Sequence, residues 1–459
     1  MQNQGRAHTS KIAEEMNKEI FRIAVPNIIS NITVPLMGLV SAAIVGRDSG
    51  TAAAIGALNL GVYIFNFIYW NCSFIRMGTS GLTAQAYGAG DFHETTAMLV
   101  RAVVISLVMS ALVLLFQKPL GELSLWLMGG DETVAAYFYA RIWAVPAGIL
   151  LFGLYGWFIG MQNGVIPMAV SITVNGLHIL FGWWFVYSFN LGIVGIAYAS
   201  VVSQWIGLIL ATILIIIFFR KTMRPIVLRE VLDLSSMKRF FKVNGDIIVR
   251  TFCNVGVYTF FAAASNKMGE GGSCDAAVLA VNSTLMQLLM LFSYMNDGFA
   301  YAAEAMTGRF IGAKDIFSLK KCLRYCVVWT FATAIIAIAL YLAGWEWLFT
   351  FFLGNGSEQE LATVLAVAKR YLGWIIVIPL FAALPFMLDG VYAGATLTRA
   401  MRNSMLGATI IFFCVYYTLK PFVNNDALWF AFLLYIILRL VLQYFMADRL
   451  RDIYRQIEK

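Results

Sequence analysis

The sequence predicts an all-α integral membrane protein with twelve transmembrane helices in two pseudo-symmetric six-helix bundles. Three observations carry this. The 459 residues are 60% hydrophobic and only 13% charged, more apolar than a soluble core requires. Apolar runs of about 20 residues or more, the length that spans a bilayer, recur along the whole chain. A polar motif closing the second run of the first half returns at the same place in the second half. The formal net charge is +8, but the basic residues sit in short loops between apolar runs rather than on one folded face, so no nucleic-acid partner is implied. The first ~19 residues are polar and of mixed charge, with no cleavable leader pattern.

Taken in order, the spans are expected at residues 20–46, 54–80, 95–117, 136–160, 165–188 and 193–219, called spans 1 to 6. Spans 7 to 12 follow at 239–266, 277–305, 316–343, 366–394, 402–422 and 426–447. The domains are thus an N-terminal bundle, 1–219, a linker, 220–238, and a C-terminal bundle, 239–459. The linker region holds Arg220, Lys221, Arg224, Arg229, Lys238, Arg239 and Lys242, and Lys and Arg excess marks cytoplasmic loops. Loops an even number of spans away agree, through Lys11, Lys18 and Arg22, then Arg309, Lys314, Lys320, Lys321 and Arg324, then Arg449, Arg451 and Arg455. Both termini are therefore expected in the cytoplasm.

Prolines fall inside spans 1 (Pro26, Pro35), 4 (Pro146) and 10 (Pro379, Pro385), where a bundle tolerates the kink each imposes. The repeated motif is TAQAYGAGDFHE, 83–94, against TGRFIGAKDIFS, 307–318. Thr83, Gly88, Ala89 and Asp91 match Thr307, Gly312, Ala313 and Asp315. A second match sets Pro146, Gly156 and Gly160 against Pro379, Gly390 and Gly394, where small pairs at this spacing indicate close helix packing. Six spans per copy is an even number, so the copies share one orientation and relate by an axis along the membrane normal. Of six cysteines none suggests a paired framework. Cys322 and Cys326 are one turn apart with no histidine near in sequence, so no metal site is implied.

Span 8 carries the most chemistry. Tyr294, Asp297, Tyr301 and Glu304 recur at helical spacing, so two carboxylates seven residues apart share one face, with Leu289, Phe292, Phe299 and Ala303 on the others. An acid at mid-membrane costs about 2.5–3.5 kcal/mol on insertion scales, so such a stripe is expected to face protein or water. It reads either as a structural polar network or as a cation or proton site. Asp389 in span 10 has no partner in its own helix and joins Asp297 and Glu304 as a candidate coupling acid for protons or sodium. Asp246 precedes Arg250 by one turn, and an intrahelical structural ion pair is the simplest expectation.

The runs IAVPNIISNITVPLMGLVSAAIVG, RMGTSGLTAQAYGA, VNGDIIVR, NDGFAYAAEA, LDGVYAGATLTRAMRNSM and NDALW together resemble the multidrug and toxic compound extrusion (MATE) family, in its DinF-like bacterial branch. The resemblance spans nearly the whole chain. It implies two six-helix bundles around a cavity that opens alternately to either side, and export of small cationic or amphipathic compounds driven by proton or sodium uptake. DinF-like members carry an essential aspartate in a segment GLVDxAxxG of the first helix. Here that segment is GLVSAAIVG, and the position is Ser41. In VNGLHILFGWW, Asn175 is kept, while His178 stands where a second asparagine is expected and Gly182 where an aspartate is expected. Spans 1 to 6 thus hold no carboxylate at membrane depth, and coupling through the first bundle does not carry over. Ser41, Asn175, His178, Tyr294 and Tyr301 are left as cavity or substrate residues.

Two other functions compete with a cation-coupled exporter. A lipid-linked oligosaccharide flippase of the same superfamily adds two helices and lines its cavity with arginine. This chain has few deep arginines: Arg76, Arg101, Arg141, Arg250 and Arg439. An intramembrane hydrolase needs a nucleophile with a base or a metal cluster, and neither GxSxG nor HExxH occurs. The expected protein is therefore not an enzyme. It needs no cofactor beyond the transported proton or sodium, its partners are small organic molecules and the lipid bilayer, and it works as a monomer in the bacterial inner membrane.

Overall fold

The computed structural model describes residues 2–49, 51–227, 231, 233–268, 273–353 and 358–446. Arg229, Arg449, Arg451 and Arg455, invoked for orientation, lie outside the described residues. All regular structure among the described residues is helical, and eleven of the helices are long and apolar enough to cross a membrane. The last of these, Thr398–Phe445, is two spans. Asn424 adopts φ 45°, ψ −111° inside it, Tyr435 Oη donates to Met405 Sδ at 2.8 Å, and Leu442 lies 3.0 Å from a Cβ built on Gly407. Residues 30 apart in a straight helix would be about 45 Å apart. The chain therefore reverses at Asn424, and spans 11 and 12 are a hairpin, which brings the number among the described residues to twelve.

Apolar side chains stand exposed along the spans, as contact with lipid requires: Ile217 is 63% exposed and Ile410 61%. Three stretches depart from the expected pattern of unbroken spans and plain loops. Span 2 is broken at Ser73 into Ala52–Cys72 and Phe74–Gly88. Span 4 is Glu132–Arg141, a 3₁₀ turn at Ile142–Ala144, then Val145–Gly160. Pro146 therefore starts a helix, where its missing N–H costs nothing, instead of kinking one. The stretch expected as a loop after span 3 holds a short helix, Gln117–Met128, closed by Gly129 at φ 66°.

The chain divides into two compact units, Met1–Ile20 with Asp246–Glu304 and Asp315–Lys459, and Phe21–Gly245 with Ala305–Lys314. In the first unit one apolar core joins Val257, Phe261, Leu285, Phe292, Ile378, Phe412, Trp429 and Phe432. Beside it Asn282 donates to Ser265 Oγ (2.6 Å) and Asn425 Oδ1 (2.7 Å) and accepts from Trp429 Nε1 (2.8 Å), which satisfies the amide where the hairpin turns. In the second unit a core forms around Leu154, Trp157, Phe158 and Val170. There the linker is tied down: Arg101 bonds Val231 O (2.9 Å) and Glu94 (2.7 Å), and Arg224 N donates to Thr96 Oγ1 (3.2 Å).

The repeated motif has structural work. Asp91 accepts from Glu94 N at 2.9 Å and Asp315 from Ser318 N at 3.0 Å, so each matched aspartate caps the next helix. Gly156 packs against the carbonyl of Arg76, and Gly390 against that of Ala300, the same helix crossing in each half.

Candidate functional site

The structure gathers the ionisable side chains at membrane depth into separate buried groups. In the unit containing Asp246–Glu304, Asp389 is the centre. Its carboxylate accepts from the guanidinium groups of Arg250 and Arg439 and, at 2.7 Å, from Gln443 Nε2. Arg439 is 1% exposed, with its guanidinium 5.1 Å from the Phe386 ring centre. Asn254 Oδ1 stands 3.1 Å from Tyr435 Oη and shares that hydroxyl's one proton with Met405 Sδ. Tyr258 lies within electrostatic reach both of Tyr435, Arg439 and Arg250 and of Asp297.

One expectation is completed here and one corrected. Asp389, without a partner in its own helix, holds three from two other helices, and two are arginines. It is a carboxylate in a cationic surround. Asp246 and Arg250 do not pair with each other. Asp246 accepts from Arg402 Nη1 (2.6 Å) and Thr398 Oγ1 (3.0 Å), while Arg250 turns to Asp389. Magnitudes explain the exchange. An i, i+4 pair is worth about 0.2–0.5 kcal/mol, whereas a buried carboxylate lacking a partner costs several kcal/mol. The geometry that satisfies both acids prevails over the local pair.

The stripe on span 8 is the more open side of an otherwise buried helix. Leu289, Phe292, Phe299 and Ala303 are buried, whereas Tyr294, Asp297 and Tyr301 are half-buried; Glu304, one helical repeat on, is fully buried. Tyr294 and Asp297 interact electrostatically. Between them Asn296, fully buried, donates to Ala383 O at 3.1 Å and fixes the rotation of the helix against span 10.

In the unit containing Phe21–Gly245, Ser41 and His178 meet although 137 residues apart: Ser41 Oγ is 3.1 Å from His178 Nε2. His178 Nδ1 is 3.3 Å from Ser200 Oγ, and all three are buried. Each serine also reaches a carbonyl of its own helix, Met37 O at 2.9 Å and Ile196 O at 3.2 Å. A neutral imidazole offers one donor and one acceptor, so one hydroxyl must turn its proton to the ring while the other keeps its carbonyl. Asn175 donates to Thr33 Oγ1 at 2.7 Å, a second tie between spans 1 and 5. A Cβ on Gly182 would meet Ile196, Ala199 and Ile44, so the nearest neighbours of that position are apolar.

Arg439, Gln443, Arg402 and Thr398 are site residues that sequence reasoning missed. The arginines carried a signal, since a charge at membrane depth marks a functional or paired group by default. Counting Arg250 and Arg439 against Asp389 would have exposed the pairing.

Spans that carry acids, arginines and a histidine at membrane depth define a polytopic membrane protein whose charged groups are functional candidates. The MatE family model matches residues 26–184 and 257–418, and the chain belongs to that family. It is 32% identical over 435 residues to DNA damage-inducible protein F of Escherichia coli, covering 92% of this chain and 90% of that one. A probable multidrug resistance protein NorM of Synechococcus is 22% identical over 65% of this chain and 64% of its own length. Among solved structures, an outward-facing multidrug resistance MATE family transporter of the MOP superfamily superposes with a TM-score of 0.82, at 16% identity, over 96% and 97% of the two chains. A mutant form of the Vibrio cholerae MATE transporter VcmN gives 0.77 at 16% identity over 96% and 98%. The chain is a MATE-family efflux transporter, a membrane protein and not an enzyme.

Proposed function

We propose that this transporter exports small amphipathic organic compounds by alternating access in exchange for protons or sodium ions, and that Asp297 and Glu304 take up the driving ion. The accessible polar stripe of span 8 carries this reading. A coupling group must be reachable from water in at least one conformation to load, and it must bind its ion differently in two; Asp297 is reachable here, whereas Glu304 is buried and would load in the other conformation. Asp297 is half-buried on the open side and shares the neighbour Tyr258 with a cationic group; Glu304 continues the same face inward. Asp389, held by two arginines and a glutamine, serves as a fixed countercharge. When Asp297 is ionised, the group with Arg250, Arg439 and Asp389 counts two positive and two negative charges. Proton or sodium uptake at Asp297 shifts that balance to plus one, which gives the driving ion a lever on the bundle.

The test is efflux of a fluorescent amphipathic dye from proteoliposomes under an imposed proton or sodium gradient. Asp297→Asn and Glu304→Gln are each expected to cut gradient-driven export at least about tenfold, while dye binding stays near the parent value. Parent-like responses to both gradients in both variants would remove the assignment. The Lys and Arg asymmetry of the loops further supports an inner-membrane protein with both termini cytoplasmic. A reporter within 220–227 is expected to read cytoplasm and one at Gly129 the outside; the opposite pair of signals would reverse the topology.

A further inference from the structure

The geometry around Arg141 points to a binding site for a single anionic group inside the unit that lacks membrane-depth acids; we infer that a halide or the acidic group of an exported compound occupies it. Arg141 ends the helix Glu132–Arg141, where span 4 breaks into its 3₁₀ turn, and is 6% exposed. Nη1 donates to Tyr137 Oη at 2.6 Å, and the guanidinium carbon lies 4.8 Å and 5.6 Å from the ring centres of Phe65 and Tyr137. Nε has no acceptor. Among the described residues, no carboxylate stands within ion-pair distance of Arg141.

The neighbours cannot supply a countercharge. Around Arg141 from the other helices stand the Phe65 ring of span 2 and, within electrostatic reach, Tyr69 of span 2, whose Oη donates to Gln204 of span 6 at 3.0 Å, and His178 of span 5. All are neutral or basic. The described acids of this half are engaged elsewhere or exposed: Asp91 and Asp131 cap helices, Glu94 pairs with Arg101, and Asp48, Glu122, Glu132 and Asp233 are exposed. An arginine stays charged at any working pH, and aromatic faces attract a cation without neutralising it. A buried guanidinium with an open donor and no acid is thus a receptor for an anion, and its planar fork suits a carboxylate or sulfonate as well as a halide.

This deepens the export reading and rests on it only where the anion is cargo. The experiment measures binding of radioactive chloride and of carboxyfluorescein to the purified full-length protein, beside carboxyfluorescein export from proteoliposomes, with an organic-cation dye as control. The parent is expected to bind at least one anion saturably. Arg141→Gln is expected to lose that binding at least tenfold while keeping binding of the cation dye, and Arg141→Lys, which keeps the charge but not the fork, to retain part of it. Chloride binding alone assigns a resident inorganic ion; chloride-competed binding and export of carboxyfluorescein assign an acidic cargo. Anion binding without export of either dye would leave the site standing and sink the exporter reading. No anion binding to the parent above the level of Arg141→Gln, or, should that variant not fold, above the level of Arg141→Lys in added gluconate, overturns the inference.

Discussion

Asp389→Asn is expected to destabilise the protein by about 3–5 kcal/mol, the usual effect of removing one partner from a buried ion pair. The side chain is nearly constant in shape, so from sequence alone the substitution looks like a mild mimic of protonation. The structure reverses that expectation. Losing the charge leaves Arg250 and Arg439 facing each other's field with only amide oxygens, one of them Gln443 Oε1, which lacks a donor in the parent. Arg439 is almost fully buried and cannot swing to water. Arg250→Gln should be far milder, because Arg439 and Asp389 then form a one-to-one pair still bonded to Gln443. Thermal unfolding in detergent, with the recovered monodisperse fraction, reads both variants. If Asp389→Asn unfolded like the parent and lost only its response to the ion gradient, Asp389 would be a coupling acid and the fixed-countercharge assignment would be wrong.

The spans were legible because the bilayer imposes a length and a composition on them, and local sequence carries both. Their interruptions were less so. Ser73 has no strong breaker beside it, and the 3₁₀ turn at Ile142–Ala144 was marked only by Pro146, which a bundle can also meet with a simple kink; the break at Asn424, in a polar NNDA stretch between two apolar runs, was the readable one. At the site, span 8's stripe was visible from helical spacing, since neighbours on one helix are set by periodicity. The partners were hidden because they are tertiary. Arg250 reaches Asp389 across 139 positions, Arg402 reaches Asp246 across 156, and Ser41 reaches His178 across 137. A local rule offered Arg250 as the partner of Asp246, and a stronger distant need took it away. The replacement of an expected aspartate by Ser41 was readable in the sequence; that His178 lies against it was not.

Gly88 and Gly312, matched in the repeated motif, are expected to tolerate no side chain. A Cβ on Gly88 would stand 1.9 Å from the carbonyl oxygen of Arg309, and one on Gly312 would stand 2.0 Å from that of Gln85. Gln85 and Arg309 are themselves equivalent positions of the motif, so the ends of spans 2 and 8 cross in a reciprocal contact, each glycine against the other's backbone. Small residues let helices approach this closely, and Cα–H groups then rest on carbonyl oxygens. Because the obstacle is backbone, no rotamer change relieves it and the helices must part. Overpacking of this kind costs about 1–3 kcal/mol or more, against a gain of about 0.5–1 kcal/mol from helical Gly→Ala itself. The contrast positions are Gly245 and Gly256, where a Cβ meets nothing within 4 Å. Gly88→Ala and Gly312→Ala should each lower the unfolding temperature, while Gly245→Ala and Gly256→Ala leave it unchanged or raise it. The double variant should cost less than the sum of the singles, since the first methyl that pushes the helices apart makes room for the second. Full additivity would mean that the two glycines do not share one crossing.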